Sequence, residues 1–414
     1  MDVRIGQKNL SGEIAAISSK SHAHRVLIAA ALSGSPMDVV ISDTSDDIEA
    51  TRDCLRMLGE SRPVFDCGDS GSTLRFLLPL SMVLCNKSVF RGAGNLPERP
   101  LSPLKEQLEG HGGVFSKTGD EICTVEGMLQ GGLFTLPGDV SSQFITGLLF
   151  ALPLLGESSE ILLSSPLQSA DYVTMTLRTL ETFGIKIEVF IDEDSTDESY
   201  SAFRIKGNQK YTSPGDITIE GDWSNAAFWL AAGAVSKSQA AAVTCSGLNF
   251  LSSQGDRKIN TIIKAFGGSI SKRGDAVTCS PGELQGIEID AANIPDLIPV
   301  VSVIASVSAG TTKIINAERL RIKESDRLHA LCDCLNTLGA DIEELPDGLI
   351  IKGKENLRGG TVSGYNDHRI VMSMAIAALC CSEPVVINGA EALSKSYPNF
   401  FSDFKKLGGE VTVI

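Results

Sequence analysis

Apolar and polar positions repeat along the chain in one pattern. Helix-like segments end in an apolar residue followed by Gly, and several run directly into alternating apolar and polar residues, the two-residue period of a half-buried strand. The closing glycines are Gly59, Gly112, Gly184, Gly267, Gly339 and Gly408. Glycine suits the left-handed conformation that ends a helix. Six such units at intervals of about 70 residues predict a repeated supersecondary unit that is too long for a solenoid.

The six units predict an α/β (α+β) fold of two similar domains, each with three units. Between the third and fourth units, a Gly- and Pro-rich segment precedes a strand, a helix cap at Asp222 or Ser224, and an apolar helix. A crossing between the domains is therefore expected near Ile219–Asp222. From the pattern alone, the first strands, before Lys20, fit either domain.

The charge balance limits the partners. With 36 Lys and Arg against 51 Asp and Glu, the 414-residue chain carries a formal net charge of −15. Such a chain repels nucleic-acid phosphates and anionic membrane surfaces, so neither is an expected partner. Any small anionic substrate must therefore be held by a few concentrated Lys and Arg side chains.

Cysteine and histidine spacing argues against a disulfide framework and against a metal site. The ten cysteines contain no C-x-x-C pair, which indicates reduced, mostly buried thiols in a reducing compartment. The five histidines are scattered, and His22 and His24, two apart on a helix, do not share a face. The N-terminus lacks the apolar core of a signal peptide, and the longest apolar runs are about half a membrane span. A cytoplasmic protein is expected.

Seven short segments concentrate hydroxyls, cations or carboxylates at predicted helix starts and turns. They are SSKSHAHR (18–25), DCGDSGSTLR (66–75), LPGDVSSQF (136–144), IPDLIPV (294–300), RLRIKESDRL (319–328), YNDHR (365–369) and SKSYP (394–398). Helix starts with hydroxyls and cations bind phosphate well. No segment is decisive alone, and for SSKSHAHR and RLRIKESDRL taken singly a capped or salt-bridged surface helix is the favoured interpretation. Together, four basic helix starts or turns and two placed carboxylates indicate a site for two anionic ligands.

In this order, the seven motifs resemble those of the 5-enolpyruvylshikimate-3-phosphate synthases. The resemblance runs from about residue 5 to the C-terminus, and R-x-K-E-S-D-R together with N-D-H-R is its most specific part. It implies two domains, each of three βαβαββ repeats about a pseudo-threefold axis, with the active site in the interdomain cleft. Two chain crossings would then give one domain of residues 19–220 and a discontinuous one of residues 1–18 plus 221–414.

The resemblance also implies the reaction. The 5-hydroxyl of shikimate-3-phosphate attacks C2 of phosphoenolpyruvate while C3 gains a proton, and the tetrahedral intermediate then loses phosphate to leave an enolpyruvyl ether. The partners are these two small molecules, no metal or organic cofactor takes part, a monomer is expected, and the phosphonate glyphosate is an inhibitor of this family.

Residue roles follow from the matched motifs. The catalytic residues are Asp296, as acceptor of the 5-hydroxyl proton, Glu324, as the group that handles the proton at C3, and Lys20. Shikimate-3-phosphate would be bound by Lys20, Ser21, Arg25, Ser141, Ser142, Gln143, Ser169, Asp296 and Lys323. Phosphoenolpyruvate would be bound by Lys20, Gly71, Gln143, Arg327, Arg369 and Lys395. A base, an acid and cations near the leaving phosphate are what this addition and elimination require.

The chain departs from the family pattern near the expected donor phosphate. Asp69 stands where many members have Asn, which puts a carboxylate beside the phosphate. Asn95 stands where an Arg phosphate ligand is expected, four residues before Arg99. Losing that cation should weaken donor binding unless Arg91 or Arg99 reaches inward.

Two other functions fit parts of the pattern. A UDP-N-acetylglucosamine enolpyruvyl transferase shares the fold and donor, but that family usually has Lys-Asn rather than Lys20-Ser21 and a Cys on the donor loop, which residues 90–100 lack. A binding protein that has lost turnover fits the change at Asn95. Retention of Asp296 and Glu324 argues against that alternative.

Overall fold

A computed structural model describes residues 1–191, 200–238 and 240–414. The chain forms two compact units. The first unit contains Met1–Ser19 and Glu220–Ile414, and the second unit contains Lys20–Ile219. The helices are α1 (Lys20–Ser33), α2 (Asp46–Arg56), α3 (Gly71–Leu84), α4 (Leu104–Gly110), α5 (Ser142–Ala151), α6 (Ala170–Thr182), α7 (Trp223–Ala234), α8 (Ile259–Phe266), α9 (Ile298–Ser306), α10 (Arg327–Thr337), α11 (His368–Ala377) and α12 (Phe400–Lys406).

The strands are short, mostly three to five residues. They are β1 (Val3–Ile5), β2 (Gly12–Ala15), β3 (Val39–Val40), β4 (Val64–Asp66), β5 (Lys87–Arg91), β6 (Val114–Ser116), β7 (Cys123–Glu126), β8 (Leu133–Leu136), β9 (Ser159–Leu163), β10 (Ile187–Ile191), β11 (Tyr200–Ile205), β12 (Ile217–Thr218), β13 (Val243–Ser246), β14 (Ser269–Arg273), β15 (Ala276–Ser280), β16 (Glu288–Asp290), β17 (Thr311–Ile315), β18 (Asp341–Leu345), β19 (Gly348–Lys352), β20 (Gly360–Ser363), β21 (Val385–Asn388) and β22 (Val411–Val413). Single 3₁₀ turns lie at Leu96–Glu98, Leu152–Leu154, Gly255–Lys258, Glu318–Ile322, Ala378–Cys380 and Ala390–Lys395.

One sheet pattern recurs in both units. In the order β4-β5-β7-β6, the first pair is parallel and joined by α3, and β5, β7 and β6 pair antiparallel. The sheets β8-β9-β11-β10 and β16-β17-β19-β18 repeat this order, as do β2-β13-β15-β14 and β20-β21-β1-β22. Read along the chain, the first three of these sheets follow the pattern βαβαββ, and the other two are completed by β2 and β1 from the N-terminal segment. The predicted fold class is confirmed.

One repeat of the second unit is reduced. Only β3 and β12 pair there, in parallel and over two residues each. The chain around β3, from Ser33 to Asp47, is rich in Ser, Asp, Gly and Pro, residues that favour turns over strands. A full four-stranded sheet therefore does not form from this segment within the described residues.

The predicted helix ends are confirmed in conformation. All six closing glycines have positive φ, between 81° at Gly184 and 105° at Gly267. One of the helices that they close, α8, has a buried stripe of Ile259, Ile263 and Phe266 and packs against β14. Glycine adopts this conformation without the steric cost that a Cβ would add.

The core of each unit is filled by helices other than those that end in the six glycines. Helices α3 and α5 pack on each other in the second unit, and α9 packs on α11 and α7 in the first, and all five are buried on nearly every side. Four of the seven polar motifs stand at the N-termini of α3, α5, α9 and α11, where unbonded N–H groups and the helix dipole favour anions. The other three precede α1, α10 and α12. The fold thus brings the functional segments to the ends of buried helices. No helix within the described ranges is long and apolar enough to cross a membrane.

Candidate active site

The start of α1 holds two cations of the second unit. Lys20 forms an ion pair with Asp47, 2.7 Å between Nζ and Oδ2. Arg25 is buried, and its guanidinium donates to the Thr176 hydroxyl at 2.8 Å and to the backbone oxygens of Ser21 and Tyr172 at 2.7 and 3.0 Å. Burial lowers the pKa of Arg25 to about 10. Arg25 therefore remains a cation at neutral pH and is held in one orientation.

The turn before α3 forms an anion-binding cradle. Ser70 caps the helix by accepting a hydrogen bond from the backbone N–H of Thr73, and Gly71 is the first helical residue. A Cβ on Gly71 would lie 2.6 Å from Nη1 of Arg75 and 2.8 Å from Nη1 of Arg99. Two guanidiniums thus flank backbone that only glycine leaves open. Helix N-terminal N–H groups beside cations are a typical phosphate site.

Gln143 connects α5 to this cradle. Its side-chain oxygen accepts from Nη1 of Arg75 at 3.0 Å, and its Nε2 donates to the Ser72 hydroxyl at 3.0 Å. Arg75 also donates to the backbone oxygen of Pro100 at 3.1 Å, which ties the segment after Arg99 to α3. The predicted site residues Gly71 and Gln143 are therefore brought together in the structure.

The geometry also bears on the departure at Asn95. Asn95 and Arg91 are exposed, whereas Arg99 lies beside Gly71. The cradle therefore has its second cation from Arg99, four residues after the position where a family Arg was expected. Of the two alternatives, an inward-reaching Arg99 is the one that the geometry favours.

Three serines stand at the starts of α5 and α6. The Ser141 hydroxyl accepts from the backbone N–H of Gln143 at 3.3 Å, and Ser142 is the first, buried residue of α5. Ser169, the cap of α6, is buried and has the left-handed φ of 57°. A non-glycine residue in this conformation is strained, and such strain concentrates at functional sites.

In the first unit, three cations converge on Asp296. Its Oδ1 lies 2.8 Å from Nη1 of Arg327 and 3.8 Å from Nζ of Lys323. Its Oδ2 lies 3.3 Å from Nη2 of Arg369, whose Nη1 donates to the Asp296 backbone oxygen at 3.0 Å. These residues come from the start of α9, the segment before α10 and the start of α11.

Arg327 is the centre of this charge cluster. It is 1% exposed and also bonds Glu324 at 2.7 Å and Asp367 at 2.8 Å. Asp367 in turn caps α11 by accepting from the backbone N–H of Arg369 at 2.9 Å, and it accepts from the Ser325 hydroxyl at 3.0 Å. Burial disfavours the charged guanidinium, but Asp367, Glu324 and Asp296 outweigh burial and raise the pKa of Arg327.

The cluster sets two carboxyl groups apart in acidity. Burial alone would raise the pKa of Asp296, but Arg369, Lys323 and Arg327 hold that pKa well below its usual value of 3.8. Asp256 is buried beside the cluster, and burial, helped by repulsion from Asp296, raises its pKa to about 6. Burial likewise lowers the pKa of Lys323 to about 8. Ionisable groups pushed apart in this way are typical of active sites.

Lys395 ends the 3₁₀ segment Ala390–Lys395, and its ammonium reaches the turn that precedes α11. Its Nζ donates to the backbone oxygen of Asn366 at 2.6 Å, and Asn366 has a left-handed φ of 51°. Lys395 is buried, so its charge is held close to the N-D-H-R turn. The structure thus brings Asp296, Lys323, Glu324, Arg327 and Arg369 into one network. The Lys395 ammonium contacts the turn before α11.

Sequence reasoning left out residues that the structure adds to the two sites. They are Arg75 at the cradle and Asp367 and Asp256 at the charge cluster, whereas Arg99 was already named from the sequence as one alternative to the missing cation. Arg75 and Asp367 lie inside the motifs, and their cationic or capping character was a usable signal. Asp256 follows a plain Gln-Gly pair, and no pattern marks it. Across the described part of the chain, no three His, Cys, Asp or Glu side chains are grouped so that they could hold a metal ion.

Comparison with known proteins identifies the family. A family model described as EPSP synthase (3-phosphoshikimate 1-carboxyvinyltransferase) matches residues 5–404. The chain is 44% identical to a 3-phosphoshikimate 1-carboxyvinyltransferase of Clostridium kluyveri over 99% of this chain and 98% of the relative. It is 43% identical to the protein of the same name from Clostridium acetobutylicum, with the same coverage.

Solved structures share the fold. An EPSP synthase of Acinetobacter baumannii superimposes with a TM-score of 0.77 at 23% identity over the full length of both chains. The enolpyruvyl transferase NikO of Streptomyces tendae has a TM-score of 0.74 at 15% identity, over 99% of this chain and 98% of that one. These two superpositions support the fold. The family is supported by the family model and by the Clostridium relatives. The chain belongs to the EPSP synthase family.

Proposed function

We propose that this chain transfers the enolpyruvyl group of phosphoenolpyruvate to the 5-hydroxyl of shikimate-3-phosphate, as a 3-phosphoshikimate 1-carboxyvinyltransferase, through the two sites described above. The observation that carries the proposal is the grouping of Asp296 with Lys323, Arg327 and Arg369, with Glu324 on the same guanidinium. The reaction needs a base, an acid and cations for an anionic donor, and this cluster has all three.

Residues of both units would bind the two substrates. Shikimate-3-phosphate is assigned to Lys20, Ser21, Arg25, Ser141, Ser142, Gln143, Ser169, Asp296 and Lys323. Phosphoenolpyruvate is assigned to Lys20, Gly71, Gln143, Arg327, Arg369 and Lys395, together with Arg75 and Arg99, which flank Gly71. The cradle at Gly71 suits the donor phosphate because two guanidiniums and helix N–H groups meet there.

The donor carboxylate has a specific effect on the base. In the structure, Arg327 and Arg369 both pair with Asp296, and this pairing makes Asp296 a very weak base. A bound carboxylate competes for the same two guanidiniums. Asp296 is then released from them, its pKa rises towards the usual value, and it accepts the 5-hydroxyl proton as the oxygen attacks C2.

Glu324 would supply the proton to C3. It shares Arg327 with Asp296, so it lies close to where the donor carboxylate would bind. The tetrahedral intermediate then expels phosphate into the cradle, and C3 loses a proton to give the enolpyruvyl ether. Lys395 adds positive charge at the N-D-H-R turn.

An acceptor-dependent assay tests this function. Phosphate release is followed with phosphoenolpyruvate and either shikimate-3-phosphate or UDP-N-acetylglucosamine, with chelator present. Phosphate release is expected when shikimate-3-phosphate is the acceptor and not when UDP-N-acetylglucosamine is. Release with the nucleotide sugar instead, or activity that needs an added divalent ion, would contradict the proposal. Binding of both substrates without release would favour a protein that has lost turnover.

The compartment and assembly are part of the same proposal. All ten cysteines are free thiols, and nine of them are buried, which suits a reducing cytoplasm. A monomer is proposed, and sedimentation of the purified chain tests this.

A further inference from the structure

A basic cavity lies beside the Arg99 segment of the second unit. Its volume is about 390 Å³, and it is lined by Pro97, Arg99, Leu101, Ser102, Lys105, Phe115, Ser116, Lys117, Ile122 and Cys123. Arg99, Lys105 and Lys117 are cationic, and none of the described residues lining the cavity is acidic. In a chain with a net charge of −15, three cations without a carboxylate are an unusual concentration of positive charge.

Lys105, Lys117 and Cys123 all line this cavity. Burial raises the pKa of the Cys123 thiol to about 12, and of the nearby charges Lys105 and Lys117 act to lower that pKa while Glu121 acts to raise it. The Lys105 ammonium is 5.9 Å from the centre of the Phe115 ring, and its ion pair with Glu109 is long, at 3.7 Å. Within the described ranges, Lys117 forms no ion pair. Their charges are therefore available to a ligand.

We propose that this cavity binds a small phosphorylated anion at a site that adjoins the donor cradle and shares Arg99 with it. Its volume exceeds that of a single phosphate, so it has room for a ligand with two anionic groups, such as a diphosphate, which the two lysines and Arg99 would bind. The Ser116 hydroxyl lines the same wall and can donate a hydrogen bond. Cationic side chains and a hydroxyl are the donors that phosphoryl oxygens prefer.

The cavity is connected to the donor cradle through one side chain. Arg99 lines the cavity, and its Nη1 also lies 2.8 Å from the Cβ position of Gly71. An anion in the cavity competes with the donor phosphate for this guanidinium. Binding at the two places should therefore be mutually weakening. This coupling rests on the donor assignment proposed above, whereas binding to the cavity does not.

Titration calorimetry of the full chain with pyrophosphate tests the binding. The double variant Lys105→Ala/Lys117→Ala should weaken binding by about 10-fold or more, because two charge-assisted contacts are lost. The control variant Lys186→Ala removes an exposed charge outside the cavity and should change the affinity by less than about 2-fold. Neither change should alter the Michaelis constant for phosphoenolpyruvate, measured without pyrophosphate, by more than about 2-fold.

Steady-state kinetics test the coupling. Pyrophosphate should raise the Michaelis constant for phosphoenolpyruvate in the wild type, and the double variant should need about 10-fold more pyrophosphate for the same rise. Equal affinity for pyrophosphate in the wild type and the double variant would overturn the proposal, because the anion would then bind only in the donor cradle. Absence of saturable binding would overturn it as well. A wild type without turnover would contradict the proposed function, and the calorimetric result would still decide the cavity.

Discussion

Replacing Arg99 should weaken donor binding far more than any change at Asn95. Arg99 and Arg75 are the two guanidiniums beside Gly71, whereas the Asn95 side chain is exposed. A charge-assisted hydrogen bond contributes about 1.5–3 kcal/mol, so Arg99→Ala should raise the Michaelis constant for phosphoenolpyruvate by roughly 10- to 100-fold. Arg75 remains in place and keeps part of the site.

The matched comparison uses three variants. In Arg99→Ala, the Michaelis constant for shikimate-3-phosphate should stay within about 2-fold of the wild-type value. Glyphosate inhibition should weaken in parallel with donor binding. Arg91→Ala removes an exposed charge from the same segment and should have little effect. Asn95→Arg should not improve donor binding, because the second cation is already present. Improved donor binding in Asn95→Arg, with no loss in Arg99→Ala, would refute this reasoning.

Three further changes test the two sites. Asp296→Asn should lower kcat by about 100-fold or more and leave shikimate-3-phosphate binding largely intact, as calorimetry would show, since a general base is lost; near wild-type kcat would exclude this role. Gly71→Ala places a methyl group within 2.8 Å of two guanidiniums, so donor binding should weaken by about 10-fold. Thermal stability should hold, because the flexible ends of the two Arg side chains can move. An unchanged Michaelis constant for phosphoenolpyruvate would contradict the cradle. Asp256 has a folded pKa of about 6 against an ordinary value of 3.8, so it favours the folded state at low pH, and this contribution is lost as pH rises through about 6. Urea unfolding should show that loss, at most about 3 kcal/mol, in the wild type and not in Asp256→Asn, and identical pH profiles would contradict the assignment.

The repeat and its helix ends could be predicted because they depend on neighbouring residues. Each closing glycine, such as Gly267 with φ of 105°, ends a helix by a local backbone conformation. The same local logic explains the reduced repeat at β3, where turn-forming residues leave only two in a strand. Patterns over a few residues report such features directly.

The charge network could be predicted only through the family motifs. Arg327 bonds Asp296 across 31 residues of sequence and Asp367 across 40, and no periodicity connects such positions. The motifs identified Asp296 and Arg327 as functional residues. The motifs did not indicate that Asp296 and Asp367 both bind the Arg327 guanidinium in the absence of substrate. That pairing depends on how α9, α10 and α11 pack.

The cradle and Asp256 show two different reasons why parts of the site could not be predicted from the sequence. Motif position placed the expected cation at Asn95, but loop geometry puts Arg99 beside Gly71. A shift of four residues on a loop changes which side chain points inward, and sequence spacing alone does not resolve it. Asp256 hydrogen-bonds Ser224, and its carboxyl group is buried next to the cluster. Only the packing around that carboxyl group distinguishes it from an ordinary polar residue.

Solvent deuterium incorporation tests the central claim most directly. The purified chain is incubated in D₂O with shikimate-3-phosphate and phosphoenolpyruvate under chelator, and the product is analysed by NMR and mass spectrometry. If C3 is protonated from solvent-exchanged Glu324 before phosphate leaves, the enolpyruvyl ether should carry deuterium in its methylene group, and one phosphate should appear for each ether formed. An ether without deuterium, or phosphate release without an ether, would contradict the account.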